Sequence, residues 1–283
     1  MIRVLITGEG SYIGSHLAGH LNQFPDRFAV RELDVREGLD ESALAGFDAV
    51  VHVAGIAHQR ETAENAPLYR KVNRDLAVQT ARAAKEKGVK QFVFFSSMSV
   101  YGRTTGRIHA DTQPAPNTYY GVSKWEAEQA MAELADDTFC IAVLRPPMIY
   151  GRGCRGNYPR LAALARKLPV FPRVKNERSM LYIDTLSAFV RSLLESGRGG
   201  LYFPQNAEYV STCGLVREVA ACHGKRMLLI PGFQRLLNAL SSKVSVLGKV
   251  FGTLTYDQAM SLDFRDEAEL SFAETIRRTE VGE

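Results

Sequence analysis

Two periods govern the apolar positions of roughly the first half of the chain. Short, nearly continuous apolar runs stand at Ile2-Arg3-Val4-Leu5-Ile6, at residues 30–33, at Asp48-Ala49-Val50-Val51-His52-Val53, at Gln91-Phe92-Val93-Phe94-Phe95 and at residues 139–144. Runs of this length read as buried strands. Between them the apolar positions take helical spacing: through Leu17 and Leu21, across residues 65–87 with Gly88 placed to end the helix, and across residues 119–134. Alternating strands and helices predict an α/β chain built on a doubly wound parallel sheet.

After Pro146-Pro147 the pattern becomes less regular. Residues 151–156 read as a loop, 158–167 and 184–196 as helices, 197–200 as a turn, 201–203 as a short strand, and 211–223 as a helix capped by Ser211 or Thr212. Asp184 is expected to cap the helix that it opens. Residues 1–150 are therefore expected to form the sheet domain, with segments near 179–205 returning to it. Residues 151–283 are expected to form mainly a smaller C-terminal substrate lobe. Residues 225–254 are apolar and basic, with Leu236, Leu237, Leu240, Val244 and Leu247 at roughly helical spacing. Packing within the lobe is the simpler expectation, and a helix lying on a membrane surface the sharper one. Residues 267–278 read as a final surface helix.

Composition narrows the class. The chain has 283 residues, with 35 basic and 31 acidic residues and a net charge of +4. This mixed surface, without a basic run interleaved with aromatics, argues against nucleic acid as a partner. Cys140, Cys154, Cys213 and Cys222 form no CxxC pair, and His16 and His20 share a helix face without a third ligand, so no metal site is expected. The first strand begins at once and no apolar run reaches membrane-span length, so a cytoplasmic setting is the expectation.

Chemistry enters with Thr7-Gly8-Glu9-Gly10-Ser11-Tyr12-Ile13-Gly14, which follows the first strand and opens the first helix. Strand, Gly-rich turn and helix N-terminus together suit a pyrophosphate, because the backbone comes close and free amides face the anion. Asp34 lies 20 residues past Gly14, where an acid on the adenosine ribose of NAD is expected. Val35 adjoins it, and Arg31 and Arg36 are candidates for the 2′-phosphate of NADP. An exposed loop role for Asp34 is the plain alternative. Farther on, Asn117-Thr118-Tyr119-Tyr120-Gly121-Val122-Ser123-Lys124 places a phenol and an amine one helical turn apart. An ammonium beside a phenol is expected to lower its pKa and fit it to take or give the proton of a sugar hydroxyl.

These stretches resemble the extended short-chain dehydrogenase/reductase family, the NAD-dependent sugar epimerases and dehydratases. Five motifs match in the family's order: the Gly-rich turn, Val51-His52-Val53-Ala54-Gly55, Ser96-Ser97-Met98-Ser99-Val100-Tyr101-Gly102, Tyr120 to Lys124, and Arg145-Pro146-Pro147-Met148-Ile149-Tyr150-Gly151. A sixth, Arg178-Ser179-Met180-Leu181-Tyr182-Ile183-Asp184, fits the family's later strand-to-helix junction. The likeness covers residues 2 to about 224. It departs from the family at Ser11, which stands for the middle glycine, and before Asp48, where there is room for one strand only.

The resemblance implies a Rossmann-like sheet and a nucleotide-sugar substrate of polysaccharide biosynthesis. It implies Tyr120 as general acid/base, Lys124 as its partner and holder of the nicotinamide ribose, and Ser97 as donor to the reacting oxygen. Ser96 or Ser99 replaces Ser97 if the register shifts, and Ser99 also borders the substrate. Gly8, Gly10, Ser11, Tyr12, Ile13, Gly14, Ala54, Gly55 and Pro147 would line the cofactor. Asn157 and Arg178 would meet the sugar nucleotide, Arg178 through its diphosphate. Asn73 would brace the strands, and His58 reads as a loop residue. The family's 4,6-dehydratases carry an acidic pair where this chain has Met98 and Ser99, so dehydration is disfavoured. An NAD-dependent epimerase is expected, with NADP as the other cofactor. The alternatives are a 4-ketoreductase and a dinucleotide-binding regulator without turnover. The family also implies a homodimer through helices 65–87 and 119–134.

Overall fold

The computed structural model describes residues 1–57, 59–233, 237, 248, 250–264 and 270–282. In chain order the elements begin β1 (Ile2–Thr7), α1 (Tyr12–Leu21), β2 (Phe28–Leu33), β3 (Ala49–His52), α2 (Ala66–Tyr69), a π-helical segment (Arg70–Asp75), α3 (Leu76–Glu86) and β4 (Gln91–Phe95). They continue with β5 (Gly106–Ile108), α4 (Tyr119–Ala132), β6 (Cys140–Leu144), β7 (Met148–Tyr150), α5 (Asn157–Lys167), β8 (Val170–Pro172) and β9 (Met180–Tyr182). The remainder are α6 (Ile183–Ser196), β10 (Gly200–Tyr202), α7 (Thr212–Cys222), β11 (Leu228–Ile230), β12 (Leu254–Tyr256) and α8 (Phe272–Glu280). Two compact units result. One comprises residues 1–102, 113–146 and 183–204, the other residues 103–112, 147–182 and 205–283.

The first unit holds a six-stranded sheet in the order β10-β6-β4-β3-β1-β2. All five pairings are parallel. The chain leaves β1 on one side for β2 and on the other for β3, so the strand order reverses at the carboxyl ends of β1 and β3. Such a switch point is where open α/β sheets place their ligands. β3 and β4 are buried along their whole length, which accounts for their continuous apolar runs. The short region between α1 and β3 contains β2 and one 3₁₀ turn, Glu41–Leu44.

The helix expected over residues 65–87 spans residues 66–86 and contains the π-helical segment, which buries Asn73. Gly88, with φ +78°, ends it. Val89 N donates to Ala84 O and Gly88 N to Lys85 O, each at 3.0 Å, the paired closure of a Schellman motif.

In the second unit β7 pairs with β9, β8 with β11 and β5 with β12, all in parallel. Glu280 at the end of α8 accepts from Tyr158 Oη at 2.9 Å, Arg166 Nη1 at 2.7 Å and His223 Nε2 at 2.8 Å, if that nitrogen carries the proton. It thereby ties α8 to α5 and to the end of α7. Ser211 caps α7 by accepting from Gly214 N. Two sequence expectations need correction. Asp184 lies inside the first turn of α6 and is not its cap, because the preceding strand runs directly into the helix. The final helix starts at Phe272 with Ser271 as its cap, and residues 267–269 lie outside the described residues.

Candidate functional site

The turn after β1 carries Gly8 at φ +96°. A Cβ there would lie 3.1 Å from the Cα and the N of Ala54, so the turn abuts the loop leaving β3. Only glycine combines that backbone angle with that approach. Gly8→Ala is expected to cost about 1–2 kcal/mol, read by thermal unfolding. Gly10 follows, and Ser11 explains its own departure from the family. It is the N-cap of α1, and its Oγ accepts from Gly14 N at 3.1 Å. Tyr12 and Ile13 open the helix. The turn thus offers a glycine backbone and a helix N-terminus with no side chain at Gly8, a fit for a pyrophosphate.

At the outer edge of the sheet Asp34 is already engaged. It accepts from Arg36 N at 2.9 Å and from Arg36 Nη2 at 2.5 Å, and these bonds hold its carboxyl down at about 2. Val35 beside it is buried. Two positions earlier, Glu32 pairs across the sheet with Ile6 and has a buried Oε1 without a hydrogen-bond partner. The end of β2 therefore presents a second acid that the motif spacing did not single out.

The three serines after β4 take different roles. Ser96 is buried and donates to Glu128, which is also held by Arg145 at 2.5 Å, and Arg145 in turn donates to Tyr101 Oη at 2.7 Å. Its hydroxyl belongs to that network. Ser97 is the N-cap of the 3₁₀ turn Met98–Tyr101, accepting from Ser99 N at 3.1 Å. Its hydroxyl also acts on the Tyr120 phenol, pulling its pKa down. The hydroxyls of Ser97 and Ser99 are 3.2 Å apart.

Tyr120 and Lys124 lie on α4, whose start is held from two directions. Thr118 Oγ1 accepts from Gly121 N at 3.0 Å. Glu61, in the loop after β3, accepts from Tyr119 N at 2.7 Å and Tyr120 N at 3.3 Å. Together they satisfy the first free amides of the helix. A Cβ on Gly121 would fall 2.6 Å from Ser99 O, so glycine is what lets the helix lie against the serine turn. Glu61→Gln keeps the shape but removes the charge and one acceptor. It is expected to lower stability by about 0.5–2 kcal/mol and to lower kcat with little change in KM, checked by urea unfolding and steady-state rates.

Asn73 joins the same parts. Its Oδ1 accepts from Ile56 N at 2.8 Å, and its Nδ2 donates to Ile56 O at 3.0 Å and to Ser123 Oγ at 3.2 Å. Ser123 Oγ donates to Tyr120 O at 2.9 Å. One buried amide thus links the loop after β3 to the turn that carries Tyr120. Gly55 lies beside Asn73 Oδ1 and Lys124 Nζ, and Ala54 is buried next to it.

The proton-bearing groups depart from the sequence expectation. The Tyr120 phenol is raised, chiefly by burial, with Ser97 acting in the opposite direction. The expected lowering is overturned because desolvation outweighs the stabilising contact. Lys124 is only 4% exposed. Burial pulls its amine down to about 7 against the pull of Glu128, and its Nζ lies 4.7 Å from the centre of the Phe94 ring. His52 is buried, its Nδ1 is 2.8 Å from Thr7 Oγ1, and burial with the nearby Lys124 charge holds it down at about 3. It is neutral at physiological pH.

In the second unit, Pro147 is buried, Asn157 is the first residue of α5, and Arg178 donates to Gly252 O at 2.9 Å. Burial lowers Arg178 to about 10. Among the described residues no carboxylate pairs with it. His58 lies outside the described residues, as does most of the 225–254 stretch beyond Phe233.

A doubly wound parallel sheet with a Gly-rich turn at its switch point, and with Ser97, Tyr120 and Lys124 in the same unit, is the framework of a short-chain dehydrogenase/reductase of the extended type. Residues 4–202 match the model of the NAD dependent epimerase/dehydratase family, and the chain belongs to that family. It is similar to the UDP-glucose 4-epimerase of Vibrio cholerae, 30% identical over 90% of this chain and 87% of that protein. It is also similar to the N-acetyl-alpha-D-glucosaminyl-diphospho-ditrans,octacis-undecaprenol 4-epimerase of Escherichia coli O157:H7, 31% identical over 62% of this chain and 54% of the relative. Its fold matches that of UDP-glucuronic acid 4-epimerase from Bacillus cereus in complex with NAD, with a TM-score of 0.78 at 20% identity over 99% of this chain and 96% of that one. Among the described residues no helix is long and apolar enough to cross a membrane.

Proposed function

We propose that this chain is an NAD-dependent epimerase acting at C4 of a nucleotide sugar. The observation that carries the reading is α4 itself, which sets Tyr120, whose phenol Ser97 pulls down against burial, one turn before the buried Lys124. The 4-epimerases among its relatives support the reaction and the carbon. The NAD in the Bacillus cereus structure supports the cofactor. NADP is the less favoured cofactor, since Arg36 is already paired with Asp34.

Gly8, Gly10, Ser11, Tyr12, Ile13 and Gly14 would hold the pyrophosphate, and Asp34 with Val35, or Glu32, the adenosine. Ala54, Gly55, Pro147, Tyr120 and Lys124 would border the nicotinamide ribose and ring. When bound, NAD supplies the hydride acceptor and donor. Tyr120 takes the proton of the sugar hydroxyl as the carbonyl forms and returns it after the keto sugar has turned over. Ser97 donates to the same oxygen and relieves the charge that develops there. Lys124, titrating near neutrality, stabilises the phenolate when it is charged. Ser99, whose hydroxyl is 3.2 Å from that of Ser97, would border the sugar. Asn157 and Arg178 would bind the nucleotide diphosphate, because a half-buried guanidinium with no carboxylate partner among the described residues suits a phosphate. Met98 and Ser99 offer no acid or base to expel water, so the ketone is reduced without dehydration.

A cytoplasmic enzyme using soluble nucleotide sugars is part of the proposal. So is a homodimer through the helices at residues 66–86 and 119–132, where Leu68 and Tyr119 are exposed. The test is turnover of UDP- and dTDP-hexoses and N-acetylhexosamines with added NAD, with products read by proton NMR. Conversion of a sugar to its C4 epimer is expected. Tight NAD binding with no conversion of any sugar would assign the chain to a regulator instead.

A further inference from the structure

We propose that the β8–β11 ribbon is a docking face for an anionic lipid bilayer. β8 and β11 pair in parallel, with Leu228 opposite Val170 and Ile230 opposite Pro172. Side chains alternate along a strand, so Val170, Leu228 and Ile230 share one face while Phe171 on the other is buried. Leu228 is 62% exposed. Leu168, immediately before β8, Leu164, one turn earlier on α5, and Phe233, just past β11, are exposed as well. Six large apolar side chains therefore stand in water along two adjoining segments, more than the scattered single exposures of an ordinary surface.

Charge selects the occupant. Residues 157–176 and 219–233, which supply both strands and their described flanks, contain no Asp or Glu. Lys167, Arg173, Lys225 and Arg226 flank the ribbon and are exposed. Glu280, the carboxylate that reaches Arg166 and His223, has a side chain only 4% exposed. An apolar face flanked by cations, on strand segments without an anion, is complementary to the boundary between acidic headgroups and acyl chains. A second copy of the chain would bring the same cations against themselves.

The test is co-sedimentation of the full-length protein with vesicles of phosphatidylcholine containing about 30 mol% phosphatidylglycerol, at low and high salt. Binding at low salt is expected, weakened at high salt and on vesicles of phosphatidylcholine alone. The double variant Leu228→Glu, Ile230→Glu is expected to bind about tenfold or more weakly. Arg173→Glu with Arg226→Glu is expected to weaken binding while leaving thermal unfolding and sugar turnover as in the wild type. No sedimentation of the wild type at low salt would overturn the proposal, as would equal binding by the Glu variants. It would also fall if the Glu variants changed only the oligomeric state in light scattering, which would assign the face to a second copy.

Discussion

Tyr120→Phe is expected to lower kcat by about 10²–10⁴-fold, the usual contribution of a positioned acid or base, while leaving the fold and nucleotide affinity nearly intact. The substitution removes one oxygen from a helix whose start remains held by Thr118 and Glu61. Burial raises the phenol, so the neutral form prevails at physiological pH and the phenolate that abstracts the proton is scarce. Wild-type kcat/KM is therefore expected to climb with pH as that form grows and to level off above about pH 7, where Lys124 loses its charge. The residual activity of Tyr120→Phe is expected to lack the climb. Steady-state rates across pH for both proteins check this. Wild-type-like turnover in the variant would remove Tyr120 from the chemistry.

Lys124→Met is expected to move activity and stability in opposite directions. The amine is buried, and its pKa falls from the ordinary 10.5 to about 7. Between those values the unfolded chain holds a proton that the native state has released, so native stability rises with pH across that window and is lost as pH falls through it. Replacing the amine by an apolar side chain of similar length removes a buried charge that is costly to desolvate, and stability at neutral pH is expected to rise by about 1–3 kcal/mol. Turnover is expected to fall at least about a hundredfold, since the group that stabilises the Tyr120 phenolate is gone. Steady-state rates read the turnover, and urea unfolding between neutral pH and the ordinary lysine value reads the stability, because the variant should lose most of the slope that the wild type shows. A destabilised variant with the same slope would mean that Lys124 is an ordinary packing residue. Stability given up to keep a charge in a site is a recurring cost of function.

Local patterns made much of this molecule legible. The runs at Val50 and Phe92 are buried on both faces, which is why they lack alternation and why a parallel sheet follows from them. Gly8 and Gly88 announced their turns because few other residues take those backbone angles. Tyr120 and Lys124 stood out by helical spacing alone. What escaped depends on contacts far apart in sequence. Glu61 caps the helix start from 58 positions away, and nothing near it in the chain marks it as a cap. Asn73 is presented by a π-helical segment that apolar periodicity does not distinguish from a plain helix. The motif favoured Ser97 and kept Ser96 and Ser99 for a shifted register, and only a contact 32 positions away, with Glu128, shows that Ser96 is engaged elsewhere. The direction of the Tyr120 shift was misjudged because spacing suggests a neighbouring charge but shows neither the burial that raises the phenol nor that Ser97 supplies the opposing pull.

The most direct measurement is epimerisation run in deuterium oxide, with the product sugar analysed by NMR and mass spectrometry. Hydride removal and return keep the substrate's own hydrogen on the inverted carbon, so the product should carry no deuterium at C4. Deuterium at that carbon would mean that inversion proceeds by proton exchange with solvent, and the transient-ketone mechanism built on Ser97, Tyr120 and Lys124 would be wrong.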